Sequence, residues 1–364
     1  MLLLAAAAFG QTIPATQPTT QPAYPAWAMK AFDNDISRLA AFDHPGEAIK
    51  LGLSTLAELE KNKAPALQRA NVMCDLSGVY IDRGKFKSAA ALLDQAEALL
   101  RDQPHNLPGD LARASLLENR AELAKQTEDH DQCSRLLSQA LDLHKQHGDD
   151  DTYQLRLKIC NNDTLDPTGA TEPTVEQAQA LIDEAKKTYG DGSGPAIDAQ
   201  FVEAFILLGS ADDLDRAAQI AQDTEDLATR TYGPISSTAA AAVVLQAIVH
   251  SCQHHDAKAV ERFELARTIA AKALGDSDPD LAFICLMQAD CCLRQGDTEQ
   301  AEALYKDAVR ISDLNIGENP KGVTDTLDKL AKYYRSGNED DKAAAAEKRA
   351  ADIRDKYKLP PAKP

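Results

Sequence analysis

The sequence predicts an all-α fold, a right-handed α-α superhelix (solenoid) of about eight helical hairpins. Helical periodicity runs from about residue 27 onward, with almost no alternating stretches of β-branched residues. Loop glycines recur at a fixed spacing, because Gly233, Gly275 and Gly317 lie 42 residues apart. Alanine is abundant and aromatic residues make up only 5% of the 364 residues, and small side chains let helices approach one another closely.

The repeat is also visible in the second helix of each predicted hairpin. A small residue near the start of that helix recurs at intervals of 39 to 45 residues, and the last three intervals are 42. The eight positions are Ala48, Ala89, Cys133, Ala178, Ala217, Ala259, Ala301 and Ala343. A breaker-rich segment at 166–173, DPTGATEP, makes the third register locally irregular while the array continues. Near-periodic positions of this kind indicate stacked repeats.

The clearest copy of the repeat is residues 281–311, LAFICLMQADCCLRQGDTEQAEALYKDAVRI. A small residue in its first helix and a Gly-Asp turn precede Ala301, Tyr305 and Ala308, which share one face of the second helix. This pattern resembles the tetratricopeptide repeat, in a long variety of about 42 residues that is similar to kinesin light chains. The resemblance covers roughly residues 30–355, and it implies a scaffold or a peptide-binding module.

One departure from the kinesin-light-chain pattern concerns asparagines that clamp a bound peptide backbone. Related repeats often carry Asn two residues before the small residue of the first helix. The equivalent positions here are Asp75, Asn119, Leu245, Met287 and Lys329. Since only Asn119 fits, the resemblance does not carry that binding mode over to this chain.

The chain divides into four predicted segments: a signal-peptide remnant at 1–10, a Thr/Gln/Pro-rich linker at 11–26, the solenoid at 27–358 with a break at 161–173, and a tail at 359–364. The first segment, MLLLAAAAFG, is an apolar run with a small-x-small cleavage site, although no basic residue precedes it. Export to the periplasm or the extracellular space is therefore expected, and a cytoplasmic chain with a frayed terminus is the alternative. No stretch reaches the ~20 apolar residues of a membrane span.

The chain is strongly acidic, with 39 Lys and Arg against 57 Asp and Glu and a formal net charge of −18. Such a surface repels phosphate backbones, and no basic run reverses the field locally, so nucleic acid is not an expected ligand. A basic protein or peptide is the more natural partner. The alternative is that the charge only keeps an alanine-rich array soluble.

The sequence carries no enzyme motif, because a P-loop, a dinucleotide fingerprint, H-E-x-x-H and G-x-S-x-G are all missing from it. No catalytic residue, cofactor or metal is therefore predicted. His250 and His254 are four residues apart, as two metal ligands on one helical face would be, but histidines also suit a helix C-terminus without any metal. The seven cysteines are an odd number and lack a C-x-x-C spacing, which argues against a disulfide framework or a zinc ribbon.

The predicted binding surface is the concave groove, which the first helices of stacked hairpins line. Side chains one residue past the small position of a first helix, and four residues before that, are expected to point into the groove. The resulting partner-binding residues are Val202, Ile206, Val244, Ile248, Leu286, Asp290, Glu118 and Glu122. The middle of this groove is apolar and its ends are charged. The alternatives are that these residues belong to the core, or that long helices close the groove.

These observations predict a non-enzymatic scaffold or adaptor that binds a protein or peptide segment, basic or apolar, in its concave groove. A structural protein that assembles into a homo-oligomer through the same apolar surface is the alternative. The sequence identifies neither the partner nor the oligomeric state.

Overall fold

The computed structural model describes residues 34–41, 44–126, 129–147, 174–209 and 213–361. The predicted signal remnant at 1–10, the linker at 11–26 and the break at 161–173 lie outside these residues, so their boundaries stay predictions.

Within the described residues the chain forms fifteen α-helices and no β-strand. In chain order they are α1 (Asp35–Ala41), α2 (Pro45–Lys61), α3 (Ala66–Asp82), α4 (Phe86–Leu100), α5 (Leu107–Gln126), α6 (His130–Gln146), α7 (Val175–Tyr189), α8 (Gly194–Leu208), α9 (Leu214–Tyr232), α10 (Ser237–Cys252), α11 (Asp256–Leu274), α12 (Pro279–Arg294), α13 (Thr298–Leu314), α14 (Pro320–Ser336) and α15 (Asp340–Tyr357). The helices pack against their chain neighbours, and first helices of successive hairpins also touch, as in α3 with α5 and α8 with α10. This confirms the predicted all-α solenoid.

The eight small residues that define the sequence period occupy one structural position. Each is the fourth residue of a second helix, from α2 through α15, and each is buried with at most 2% of its surface exposed. A small side chain there lets the second helix lie close against the first helix of its hairpin. The sequence period therefore marks the helix–helix contact that the fold repeats.

The periodic glycines end second helices, with one exception. Gly190, Gly233 and Gly275 follow α7, α9 and α11 with φ values of 101°, 90° and 92°, in the left-handed region that glycine adopts without strain. The structure differs at Gly317, because α13 ends earlier and Asn315 is its C-cap residue. The Asn315 amide donates to the Ile311 carbonyl and to a carbonyl of the preceding loop, and it replaces the glycine as the end of the helix.

The solenoid turns far enough for the turn between α3 and α4 to meet two loops near the other end of the chain. Arg83 Nη1 lies 2.9 Å from Asp278 Oδ2, and Ser88 Oγ donates to Glu318 Oε1 at 2.8 Å. We call the contact of residues 83–88 with residues 278–280 and with Glu318 the seam. In the described part of the chain, no helix is both long enough and apolar enough to cross a membrane.

Candidate binding channel

First helices of four hairpins line a half-open cavity of about 640 Å³ on the concave side of the superhelix. Helices α1, α3 and α5 form one wall, and α8 faces them from a later hairpin. We call this cavity the channel. Its volume falls in the range of about 300–1,000 Å³ that is typical of ligand-binding pockets.

The channel is lined by five carboxylates, Asp75, Asp82, Glu118, Glu122 and Asp198. Among the described residues, sixteen line the channel and none of them is basic. Charges of one sign in a concave site with protein walls focus their field on the enclosed space. The channel therefore presents a negative potential to anything that enters it.

Asp198, on α8, is a channel carboxylate with a strongly shifted pKa. The Asp198 side chain is exposed to the channel, and the helices that line the channel surround it. The loss of solvation, reinforced by the negative charge of Asp82, raises the pKa of Asp198 to about 7. Its ionised form is therefore disfavoured, and a cation that enters the channel would stabilise it.

Two helices place the other four carboxylates. Asp75 and Asp82 are seven residues apart on α3, which puts them on one face two turns apart. Glu118 and Glu122 are four residues apart on α5, and Glu118 Oε1 lies 3.5 Å from His144 Nε2 of α6. The α3 and α5 helices are tied together by Asn119, whose amide donates to the Cys74 carbonyl at 2.8 Å.

The α8 wall is apolar as well as acidic. Phe201, Val202 and Phe205 line the channel from this helix, and Phe205 is 45% exposed. The hydroxyl of Ser193 caps the start of α8 and Pro195 follows it, so the sequence fixes where the helix begins. A large exposed aromatic side chain on a concave surface is typical of an interaction site.

The sequence of α10 to α13 matches a known repeat, because residues 237–313 fit the profile of the tetratricopeptide repeat family. Residues 237–313 therefore contain tetratricopeptide repeats. A comparison with curated protein sequences finds no match.

Solved structures of low sequence identity share the tetratricopeptide-type solenoid. The Rap protein complexed with competence and sporulation factor superposes with a TM-score of 0.61 at 12% identity, over 91% of this chain and 98% of that chain. NprR in complex with its cognate peptide NprX gives 0.56 at 12% identity, over 82% and 87%. A Podosopora anserina protein with kinesin-light-chain-type repeats gives 0.43 at 16% identity, over 62% and 97%. The first two show that the fold is the same.

Three of the eight predicted partner-binding residues, Val202, Glu118 and Glu122, line the channel. The other five lie further along the first helices. Ile206, on α8, is half-buried against the small core of α7 and α8. A prediction that a partner contacts these residues still stands for all of them.

The four predicted residues of α10 and α12 pack closely with the protein itself. Val244 and Ile248 are half-buried against the large C-terminal core, and Leu286 is buried within it. Asp290 accepts a hydrogen bond from the Tyr305 hydroxyl. This part of the concave surface therefore contributes to the stability of the array.

Sequence reasoning missed three of the channel's acids and its two aromatics. The sequence rule took only two positions from each first helix, whereas Asp198 lies one turn before Val202 and faces the same space. Extending the face by one turn would have found Asp198. Among the described residues, no group of three or more His, Cys, Asp or Glu side chains is placed to hold a metal ion. The rings of His250 and His255 lie 6.1 Å apart, tilted at 51° to each other.

Proposed function

We propose that this chain is a non-enzymatic scaffold that binds an extended segment of a partner protein or peptide in the channel. The observation that carries this proposal is the channel itself, which combines five carboxylates with an apolar α8 wall and has no basic lining residue in the described part of the chain. A segment that carries both basic and apolar side chains fits this combination.

The structural neighbours support the coarser part of the proposal. Rap was solved with competence and sporulation factor, and NprR was solved with its cognate peptide. Both share the solenoid fold of this chain at 12% identity. A fold of this type therefore has room for a peptide, and the basic and apolar character of the ligand is argued from the channel residues alone.

The chemistry of recognition follows from the two walls. A Lys or Arg side chain beside Asp198 and Asp82 would offset the repulsion between them. Apolar side chains of the segment would cover Phe205, which is 45% exposed without a ligand. Electrostatic attraction of this kind mainly raises the association rate and the specificity, so binding should weaken with salt.

Fluorescence anisotropy with two short labelled peptides tests the proposal. One peptide alternates Lys with Leu, and the other replaces each Lys by Glu. The Lys peptide should bind and the Glu peptide should not. Asp198→Asn should reduce the affinity for the Lys peptide by about tenfold, which corresponds to about 1.4 kcal/mol of binding free energy.

Glu299→Gln provides the matched control, because Glu299 is an exposed carboxylate on α13 and is not among the channel's lining residues. This variant should bind the Lys peptide as the unmodified chain does. Equal affinity for the two peptides, or an Asp198→Asn chain that binds normally, would contradict the proposal. Light scattering after size exclusion checks the alternative of self-assembly, which a stable dimer would support.

We also propose that the chain is exported, on the basis of the apolar run MLLLAAAAFG and the Thr/Gln/Pro-rich linker that follows it. Mass spectrometry of the protein in cell fractions tests this. A chain that is found outside the cytoplasm and lacks its first residues would support export, and an intact cytoplasmic chain would contradict it.

A further inference from the structure

The seam joins residues that are far apart in the chain. Its side-chain hydrogen bonds connect partners separated by 195 to 230 residues, whereas neighbouring hairpins in this fold are about 42 residues apart. Stacked repeats need only contacts between neighbours. The seam is therefore an additional contact that holds the two ends of one superhelical turn together.

Arg83 forms the charged half of the seam. Its guanidinium lies 2.9 Å from Asp278 and 3.3 Å from Asp280, and the Asp278 side chain is only 8% exposed. Asp278 also caps α12, since its Oδ1 accepts from the backbone N–H of Asp280 at 3.1 Å. Arg83 thus binds a carboxylate that is already held in place by the start of a helix.

Glu318 forms the other half by capping a helix that has no cap of its own. The N-cap residue of α4 is Lys85, which makes no side-chain cap. The Glu318 carboxylate accepts from the Ser88 N–H at 3.0 Å and from the Ser88 hydroxyl, and the Glu318 carbonyl accepts from the Lys87 N–H at 3.3 Å. A carboxylate is the favoured cap at a helix N-terminus, and here it comes from the loop before α14.

Gly84 permits the close approach between these two halves. Its φ of 63° is left-handed, and a Cβ at this residue would lie 2.9 Å from Cγ of Pro279. Gly296 occupies the equivalent turn of a later hairpin with a φ of 83°, and a Cβ there would have no atom within 4 Å. Both glycines have a positive φ that other residues adopt only with strain, but only Gly84 lies in the seam.

The seam adjoins the channel. Asp82 lines the channel, and Arg83, the next residue, lies in the seam. The end of α3, which is part of one channel wall, is therefore held by the loop that precedes α12, and the start of α4 is held by the loop that precedes α14. Releasing the seam would free that wall from the C-terminal hairpins.

We propose that the seam is a latch that keeps the superhelical turn closed around the channel, and that its opening admits the partner segment from the side. This control of entry rests on the proposed function of the channel. The latch itself acts without any ligand, so it can be tested without a peptide. A failure of peptide binding would therefore not be confused with a failure of the latch.

The test measures access to the channel in the full chain carrying Ser115→Cys, a near-isosteric change at an exposed lining residue. Each variant is treated with N-ethylmaleimide or with a maleimide that carries a polyethylene glycol chain, and mass spectrometry follows labelling at each site. Adding Gly84→Ala should raise the rate at which the bulky reagent labels the cysteine at residue 115 several-fold. Labelling of the exposed Cys252 should not change.

Adding Gly296→Ala instead provides the control for backbone strain, and it should leave the rate at residue 115 unchanged. If Gly84→Ala prevents folding, the pair Arg83→Ala and Glu318→Ala removes the side-chain contacts of the seam without a strained backbone. That pair should give the same faster labelling, together with faster hydrogen exchange at Lys87 and Ser88. Equal labelling of seam and control variants would overturn the latch.

Discussion

The C-terminal hairpins (α10 to α15) and the N-terminal hairpins (α1 to α6) are built from the same repeat but differ in their interiors. A single buried cluster runs through the C-terminal hairpins from Ala240 to Ile353. Among the described residues, the N-terminal hairpins divide their buried residues into three smaller clusters. The C-terminal hairpins also have the regular 42-residue spacing, while the N-terminal ones form most of the channel. The hairpins with the regular repeat spacing therefore share one continuous core, and the hairpins with irregular spacing form most of the candidate binding channel.

The first helices explain this difference. Positions on the concave side of α10 and α12 hold Val244, Ile248 and Leu286, which pack with the core. The corresponding surface of α3 and α5 holds carboxylates such as Asp75 and Glu122, which line the channel instead. Charged residues at these positions stabilise the core less than apolar residues would. Proteins depart from the apolar pattern in this way mainly at functional sites.

The largest effect should come from Phe263→Ala in the C-terminal core. Phe263 is fully buried on α11, and loss of its ring should reduce the free energy of unfolding by about 3–5 kcal/mol. Because one cluster connects these hairpins, hydrogen exchange should accelerate throughout α10 to α15. Urea unfolding and hydrogen exchange by mass spectrometry measure both effects.

Leu76→Ala is the matched change in the N-terminal hairpins, because Leu76 is also fully buried. It should cost about 2–5 kcal/mol, but its effect on hydrogen exchange should stay within α1 to α5. If the two variants accelerate hydrogen exchange over equally many helices, the contrast between one continuous core and several small ones would be wrong.

A smaller effect is expected at Glu302, which connects three C-terminal helices. Hydrogen bonds from Lys306, Lys342 and Tyr334 to this carboxylate, led by that of Lys306, lower its pKa from the usual 4.5 to about 2. Because the folded chain holds this proton less tightly than the unfolded chain, the contribution is present above pH 4.5 and is lost as the pH falls toward 2.

Glu302→Gln should therefore reduce stability by about 1–2 kcal/mol at pH 7 and by less below pH 3, a magnitude typical of hydrogen bonds to a charged group. Thermal unfolding across this pH range measures the difference. Glu299→Gln, one turn earlier and exposed, should leave the profile unchanged. A Glu302→Gln penalty that stays constant down to pH 2 would show that the ion pairs do not stabilise the fold.

The sequence predicted the repeated contacts well because they are local. A small residue at the fourth position of each second helix reports only on its own hairpin, so its spacing alone identified the fold. The channel and the seam depend instead on how far the superhelix turns. Nothing in the sequence near Arg83 indicates Asp278, and nothing near Asp82 indicates Asp198 across the channel. These pairings arise from the sum of many small rotations between hairpins.

The smallest effect, and one of opposite sign, is expected for Asp198→Asn in the channel. The pKa of Asp198 is raised from the usual 3.8 to about 7, so between these values the folded chain binds more protons than the unfolded chain. Stability should therefore fall as the pH rises through this window. Because the side chain is exposed to the channel, the gain from Asp198→Asn at pH 8 should be only about 1 kcal/mol.

Thermal unfolding of both chains at pH 4 and pH 8 measures this gain, which should be absent at pH 4. Asp191→Asn offers a control at an exposed carboxylate on the loop before α8. If Asp198→Asn stabilises the chain and also reduces its affinity for the Lys peptide, the charge of Asp198 lowers stability and contributes to binding. If it destabilises the chain at pH 8, Asp198 is a structural residue, and the contrast between a cohesive C-terminal half and a binding N-terminal half loses its strongest residue.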